Sequence, residues 1–370
     1  MKKFLFCLVI FTYLPLFAQT VKEPDYIYND QRIFEDAEIA FEDSDFSLAL
    51  KLAEKAIETR KNRVDWEVFT LENSFKPAEV KYAGDFLSAS KGILKERQDY
   101  DALMIINRYE KKYGTQTFDD SKTKLIDFIK SKKPFPEADV LCGNIYKLEG
   151  EYALSFNFYE TALKNADVLD IPAEKYNILY SLAEISSIQE KYDDYEKYLL
   201  LIIAQDSLYK DSAFIKAINK TISSTKSNAL EKFFSLYRAQ NYSLLQAYMN
   251  LAIYYNSKNA LDKALNCSAL CTLTGFTKIY EVVKKRNPEF EYKGLASVLK
   301  EAVLYEDIVD WGINNKVWQG FNEFAALAQK NNNPVFAVQL YSILKTYSPE
   351  EYWKNDAQIQ FSKITLLNKK

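Results

Sequence analysis

The residues able to do chemistry are few, and their types and spacing restrict what chemistry that would be. The 370-residue chain contains no histidine. A Ser-His-Asp triad, a Cys-His pair, an HExxH zinc site and a histidine general base are therefore all ruled out. Carboxylates, tyrosines, lysines and four cysteines remain. The pairs Asp193-Asp194 and Asp119-Asp120 are of the right type for acid–base work on a glycosidic bond, which needs two acids roughly 5–10 Å apart in one cleft. Helix N-capping and solvated turns account for them more simply. The acidic run Glu42-Asp43-Ser44-Asp45 lacks the glycine and terminal glutamate of a calcium loop. The nine glycines are spaced too widely for GxG, and no GxxxxGK[ST] occurs, so the usual phosphate-cradling loops are absent. Cys267 and Cys271 stack on one face of an expected helix, where a bridge would be strained, and read as packed thiols. We expect no catalytic residue, no metal and no cofactor.

The elements that carry these residues are expected to be helices. Glycine and proline number nine each, well below the usual share. Apolar residues make up 48% and aromatic residues 15%, with 27 tyrosines and 24 phenylalanines. Such a chain buries a core of long helices rather than forming turn-rich β structure. Formal net charge is −3 with the two signs interspersed, whereas a nucleic-acid binder shows a basic face. The clusters Lys130-Ser131-Lys132-Lys133 and Lys284-Lys285-Arg286 precede Pro134 and Pro288, as cations at helix C-termini do.

The first 18 residues read as an export signal. Lys2 and Lys3 are followed by an apolar stretch from Phe4 to Phe17 and the small residue Ala18. That stretch is shorter than the about 20 residues of a comfortable membrane span. Cys7 sits too early in it for a lipid-attachment site. Cleavage before Gln19 would leave a chain of net charge −5, with no later apolar run long enough to insert stably in a membrane. An uncleaved anchor is the alternative. The expected location is the periplasm or the exterior. Cys142, Cys267 and Cys271 remain after cleavage, an odd number and no disulfide framework.

Apolar positions recur at helical spacing nearly throughout, and no stretch alternates with period two. Breaks are expected at Asn62, Gly114, Pro134/Pro136, Pro172, Gly275, Pro288, Gly312, 331–334 and Pro349. Within residues 142–164, Gly143 and Tyr146 share a face of one helix, Gly150 lies in a turn, and Ser155, Tyr159 and Ala162 share a face of a second. Small residues let two antiparallel helices approach to about 8 Å, and rings fill the space to the next pair. This pattern resembles the tetratricopeptide repeat, whose period is ~34 residues. Ser155 replaces the usual alanine, and Cys142 and Asp139 occupy the usual Leu and Trp slots. The small residue of the first helix recurs at 37, 143, 183, 217, 252 and 325, spaced at near-multiples of 34–40 residues. Two intervals, 70–135 and 272–311, do not align, although Asp99-Tyr100-Asp101-Ala102 imitates a turn.

The resemblance implies an all-α, right-handed superhelical solenoid of antiparallel helix pairs. The chain divides into a signal (1–18), a linker (19–30), degenerate repeats (31–135), core repeats (136–271) and C-terminal repeats (272–370). The family's role implies a non-catalytic scaffold that binds a partner protein or peptide on its concave face, with no nucleic acid. Candidate contact residues, on first helices beside the small slots, are Asn144, Lys147, Tyr180, Glu184, Met249 and Ile253. The Tyr-rich stretch 247–257 reads first as core and second as groove wall. The alternative role is a solute-handling subunit beside a transporter, which needs an enclosed pocket.

Overall fold

The computed structural model describes residues 29–74, 121–236 and 242–367, together with residues 91, 92, 95, 103, 104, 107 and 111. The expected signal at 1–18, the linker up to residue 28, Asp99–Ala102 and Asp119-Asp120 lie outside the described residues. Every regular element among the described residues is helical, and none is a strand. The chain divides into two compact units, one ending at Pro172 and one beginning at Ala173.

The first unit holds α1 (Asp30–Glu42), α2 (Phe46–Ser74), α3 (Ser121–Lys130), α4 (Pro136–Leu148) and α5 (Tyr152–Lys164). Its signals are local. The Asn29 side chain accepts the amide hydrogen bond of Arg32 and caps α1, and Pro136 opens α4. α1 pairs with α2 and α4 pairs with α5, and α2 packs directly against α4. The core between them is rich in alanine: Ala37, Ala40, Ala49, Ala53, Ala56 and Ala138, with Phe34, Phe135 and Ile145.

The second unit holds α6 (Glu174–Ile188), α7 (Tyr192–Ile203), α8 (Ser207–Lys210), α9 (Ser212–Ile222), α10 (Ala229–Phe234), α11 (Leu245–Ser257) and α12 (Leu261–Arg286). It continues through α13 (Leu295–Ala302), α14 (Glu306–Asn314), α15 (Val317–Lys330), α16 (Pro334–Tyr347) and α17 (Glu351–Leu367). Pairs form between α6 and α7, α11 and α12, and α15 and α16. The second helix of each pair also packs on a helix further along the chain: α7 on α11, α12 on α15, and α16 on α17.

Five hairpins, two in the first unit and three in the second, share one register. The small slots at Ala37, Gly143, Ala183, Ala252 and Ala325 are all buried. Seven residues after each slot stands a residue with left-handed backbone: Ser44, Gly150, Glu190, Asn259 and Asn332, with φ of 64°, 82°, 57°, 58° and 58°. The next residue's amide reaches back to a helix carbonyl each time: Asp45 to Ala40, Glu151 to Tyr146, Lys191 to Ser186, Ala260 to Tyr255 and Asn333 to Ala328, at 2.8–2.9 Å. This closes the helix C-terminus and turns the chain back. In α5 the Ser155 hydroxyl donates to the Gly143 carbonyl at 2.7 Å, so a serine stands in the alanine slot with its polar group satisfied. The Tyr159 ring lies so close that a Cβ on Gly143 would come within 3.0 Å of it.

The expected copy at 217 does not follow this register. Ala217 is half-buried, Ile218 takes the buried position, and Ser224 is not among the residues with left-handed backbone. α10 is only six residues long and wedges Phe233 and Phe234 against the rings of Phe324, Phe336, Phe276 and Phe321. Three expected breaks also fall inside helices. α2 runs through Asn62, α14 contains Gly312, and α12 runs through Gly275 and through the division drawn at 271/272. Gly275 serves close approach instead: a Cβ there would lie 2.9 Å from Val317 Cγ1. α13 and α14 are short helices after α12, and α12 reaches α15 directly.

Candidate functional site

α11 and α15 are first helices of neighbouring hairpins, and a cleft opens between them. Met249, Ala252, Ile253 and Asn256 of α11 form one wall, Gly320, Glu323 and Leu327 of α15 the other, and Ser268 and Cys271 of α12 the floor. The i, i+3, i+4, i+7 spacing of the α11 set places all four on one face. Gly320 leaves only ordinary contact distance to the Cys271 sulfur, 3.6 Å from a Cβ built on the glycine. The cleft has a volume of about 20 Å³, room for the tip of a side chain. Ile253 is 49% exposed at its rim. At one end Lys330 Nζ donates to Asn256 Oδ1 at 2.7 Å and ties α15 to α11.

Charge in the cleft is acidic. Burial raises the Glu323 carboxyl above its ordinary range, and the charge of Asp356 on α17 raises it further, against a smaller opposing hydrogen bond from Gln319. The thiols Cys267 and Cys271 are pushed up to about 12 by burial, so both stay protonated at neutral pH and are poor nucleophiles. No group of three or more His, Cys, Asp or Glu able to hold a metal occurs among the described residues.

The six candidate contact residues divide. Met249 and Ile253 come together in the cleft. Tyr180 is spent on structure: its hydroxyl donates to the Ser243 carbonyl at 2.5 Å and accepts from the Ala247 amide, anchoring the start of α11. Asn144 likewise accepts from the Tyr159 hydroxyl at 2.5 Å, and Lys147 is half-buried beside it on α4. Glu184 is exposed on α6. Asn144 and Lys147 belong to the first unit and the other four to the second. Sequence reasoning missed Glu323, Gly320 and Leu327. Carrying the face of α11 over to the slot at Ala325 would have found the opposing helix.

Other sequence readings resolve locally. The rings of 247–257 mostly pack in the core and place their hydroxyls on acids: Tyr248 on Asp206 at 2.5 Å and Tyr255 on Glu196 at 2.6 Å. Asp45 caps α2 through the Leu48 amide, and Asp193-Asp194 sit in the first turn of α7. In the basic clusters, Lys133 pairs with Asp65 at 2.8 Å and Arg286 with Asp307 at 2.6 Å, while Lys284 donates to the carbonyls of Pro288 and Phe290. No helix among the described residues is long and apolar enough to cross a membrane.

No family model matches the chain. It is similar to an uncharacterized protein of Treponema pallidum (strain Nichols), 29% identical over 317 residues that span 85% of this chain and 84% of that one. It is also similar to an uncharacterized protein of Borreliella burgdorferi (strain ATCC 35210 / DSM 4680 / CIP 102532 / B31), 23% identical over 241 residues, 59% of this chain and 74% of that one. The first similarity covers most of both chains.

Proposed function

We propose that the chain is an exported, non-catalytic scaffold of the bacterial cell envelope, a tetratricopeptide-like solenoid whose first helices form a docking wall for a partner protein or peptide. The observation that carries this reading is the shared register of five hairpins, with an exposed Ile253 beside a buried Ala252 at the α11–α15 cleft. Arrays built this way expose one helix face repeatedly and suit extended partners. The lack of histidine narrows the catalytic alternatives. The solute-handling alternative needs a pocket of roughly 300–1,000 Å³. The α11–α15 cleft does not supply one.

The test is photo-crosslinking in the cell from an unnatural residue at Ile253 and at Glu184. Leu201, exposed on the second helix α7, is the control. Adducts to one protein from the first two positions and none from Leu201 support the wall. Adducts from Leu201 alone exclude it. Fractionation of the full chain and of one lacking residues 2–18 tests export: only the full chain should reach the periplasmic fraction.

A further inference from the structure

We propose that the α11–α15 cleft selects a peptide segment in which a lysine or arginine lies next to a large aliphatic residue. The aliphatic side chain lies on Met249, Ile253 and Leu327, and the cation pairs with Glu323, in the field of Asp356. This inference rests on the docking reading and specifies its partner.

The apolar half follows from the walls. Met249 and Leu327 are buried, Ile253 is half exposed above them, and the opening admits a side-chain tip without enclosing a whole ligand. The charged half follows from an imbalance. Glu323 is half-buried in the cleft wall, and α17 brings Asp356 near it across its contact with α15. The charge of Asp356 disfavours the ionised form of the half-buried Glu323 carboxyl. No ion pair to either acid occurs among the described residues. The neighbouring cations are committed elsewhere: Lys330 to Asn256, Lys345 over the Phe361 ring at 3.8 Å, and Lys354 to Glu351. Asp356 has only a neutral partner, the Gln360 amide, at 3.1 Å. A cation supplied by a ligand relieves this repulsion. Burial beside the apolar wall then strengthens the pair relative to one in water. Charge opposite to the site, joined to an aliphatic anchor, is a recurrent basis of peptide selectivity.

The experiment is selection of a phage-displayed random dodecapeptide library on the full-length protein and on the variants Glu323→Gln/Asp356→Asn and Ile253→Asp. Circular dichroism confirms that each variant keeps its helicity. The native protein should enrich clones with Lys or Arg within four residues of Leu, Ile or Met, about tenfold over clones with Glu in that place. The Glu323→Gln/Asp356→Asn variant should keep the aliphatic preference and lose the cationic one. Ile253→Asp should lose both. Selection without a cationic bias, or the same bias in the Glu323→Gln/Asp356→Asn variant, overturns the inference, as does selection that Ile253→Asp leaves intact. Crosslinking at Ile253 reads the docking wall separately, so a partner found there that carries no cation sinks this inference and spares that reading.

Discussion

The hairpin α1/α2 and the hairpin α15/α16 have the same register and different interiors. In α1/α2 the slots are filled with alanine, and the helices come close over small side chains. Beside them lies a buried ionic clamp: Asp30 accepts from Arg60 at 2.6 Å and from Arg63 at 2.7 Å, and Arg63 reaches Glu67 at 2.6 Å. The Arg60 guanidinium also lies over the Phe135 ring. In α15/α16 the slots are also alanines (Ala325, Ala328 and Ala337), but large rings are added between them: Phe324, Phe336 and Tyr341 are fully buried, joined by Phe233 from α10. One backbone plan thus tolerates two ways of filling the gap. Small residues bury little apolar area, so directional polar contacts fix the pair. Rings bury roughly 150–250 Å² each and need a neighbouring element to complete their packing.

Breaking the clamp should have one of the two largest effects. Asp30→Ala leaves the buried Arg63 and the partly buried Arg60 short of their shared counter-ion and should destabilise α1/α2 by about 3 kcal/mol, read as lost hydrogen-exchange protection there and unchanged protection in α15/α16. Acid should act similarly. Burial alone would raise Asp30, but Arg63 and Arg60 together outweigh it and hold the carboxyl below its ordinary range. A lowered value means stability that is present above the ordinary carboxylate range and is lost as pH falls through the folded value.

Breaking the wedge should have the other. Phe233→Ala should cost about 3–4 kcal/mol, confined to the second unit, measured by the same exchange experiment. A uniform loss across both units would deny that the two interiors are independent.

A third change sharpens the comparison within the first unit. Asp139, 6% exposed on α4, is pushed up to about 7, by burial first and by Glu137 second. A raised value acts in the opposite sense to Asp30: the fold favours the protonated form, so stability falls as pH rises from the ordinary range toward 7. Asp139→Asn should flatten that fall and stabilise the first unit at pH 8 by at most about 4 kcal/mol, while leaving acid unfolding to Asp30. Urea denaturation at pH 5 and pH 8 reads the difference. Equal effects at the two values would contradict the assignment.

The smallest change is at a turn. Glu190 adopts a left-handed backbone at the position that Gly150 fills in α4/α5. Glu190→Gly should stabilise the α6/α7 hairpin by about 0.5–1 kcal/mol, seen as a small rise in the denaturation midpoint, because glycine removes the strain at some entropic cost.

The slots at 37, 143, 183, 252 and 325 were legible because spacing alone reports a helix face. The slot at 217 had similar spacing, but a hairpin also needs a left-handed turn seven residues on, and Ser224 does not provide it. Gly275 misled for a related reason: a glycine can end a helix or let two helices touch, and only its neighbour Val317 shows which. Met249 and Ile253 were legible as neighbours of a slot. Glu323 was not, because its partner wall comes from a different hairpin; Tyr180 has backbone carbonyl and amide partners and Asn144 a hydroxyl partner, which no spacing reveals.

Thiol reactivity tests the register most directly. Cys142 lies beside the Gly143 slot, and Cys267 and Cys271 stand on the buried face of α12. With Cys7 replaced by serine, these three thiols should stay silent toward a disulfide reagent until the chain is denatured. Ile253→Cys should add one rapidly reacting thiol, and Ala252→Cys none. A silent residue 253, or native thiols that react at once, would contradict the wall of first helices on which the proposed function depends.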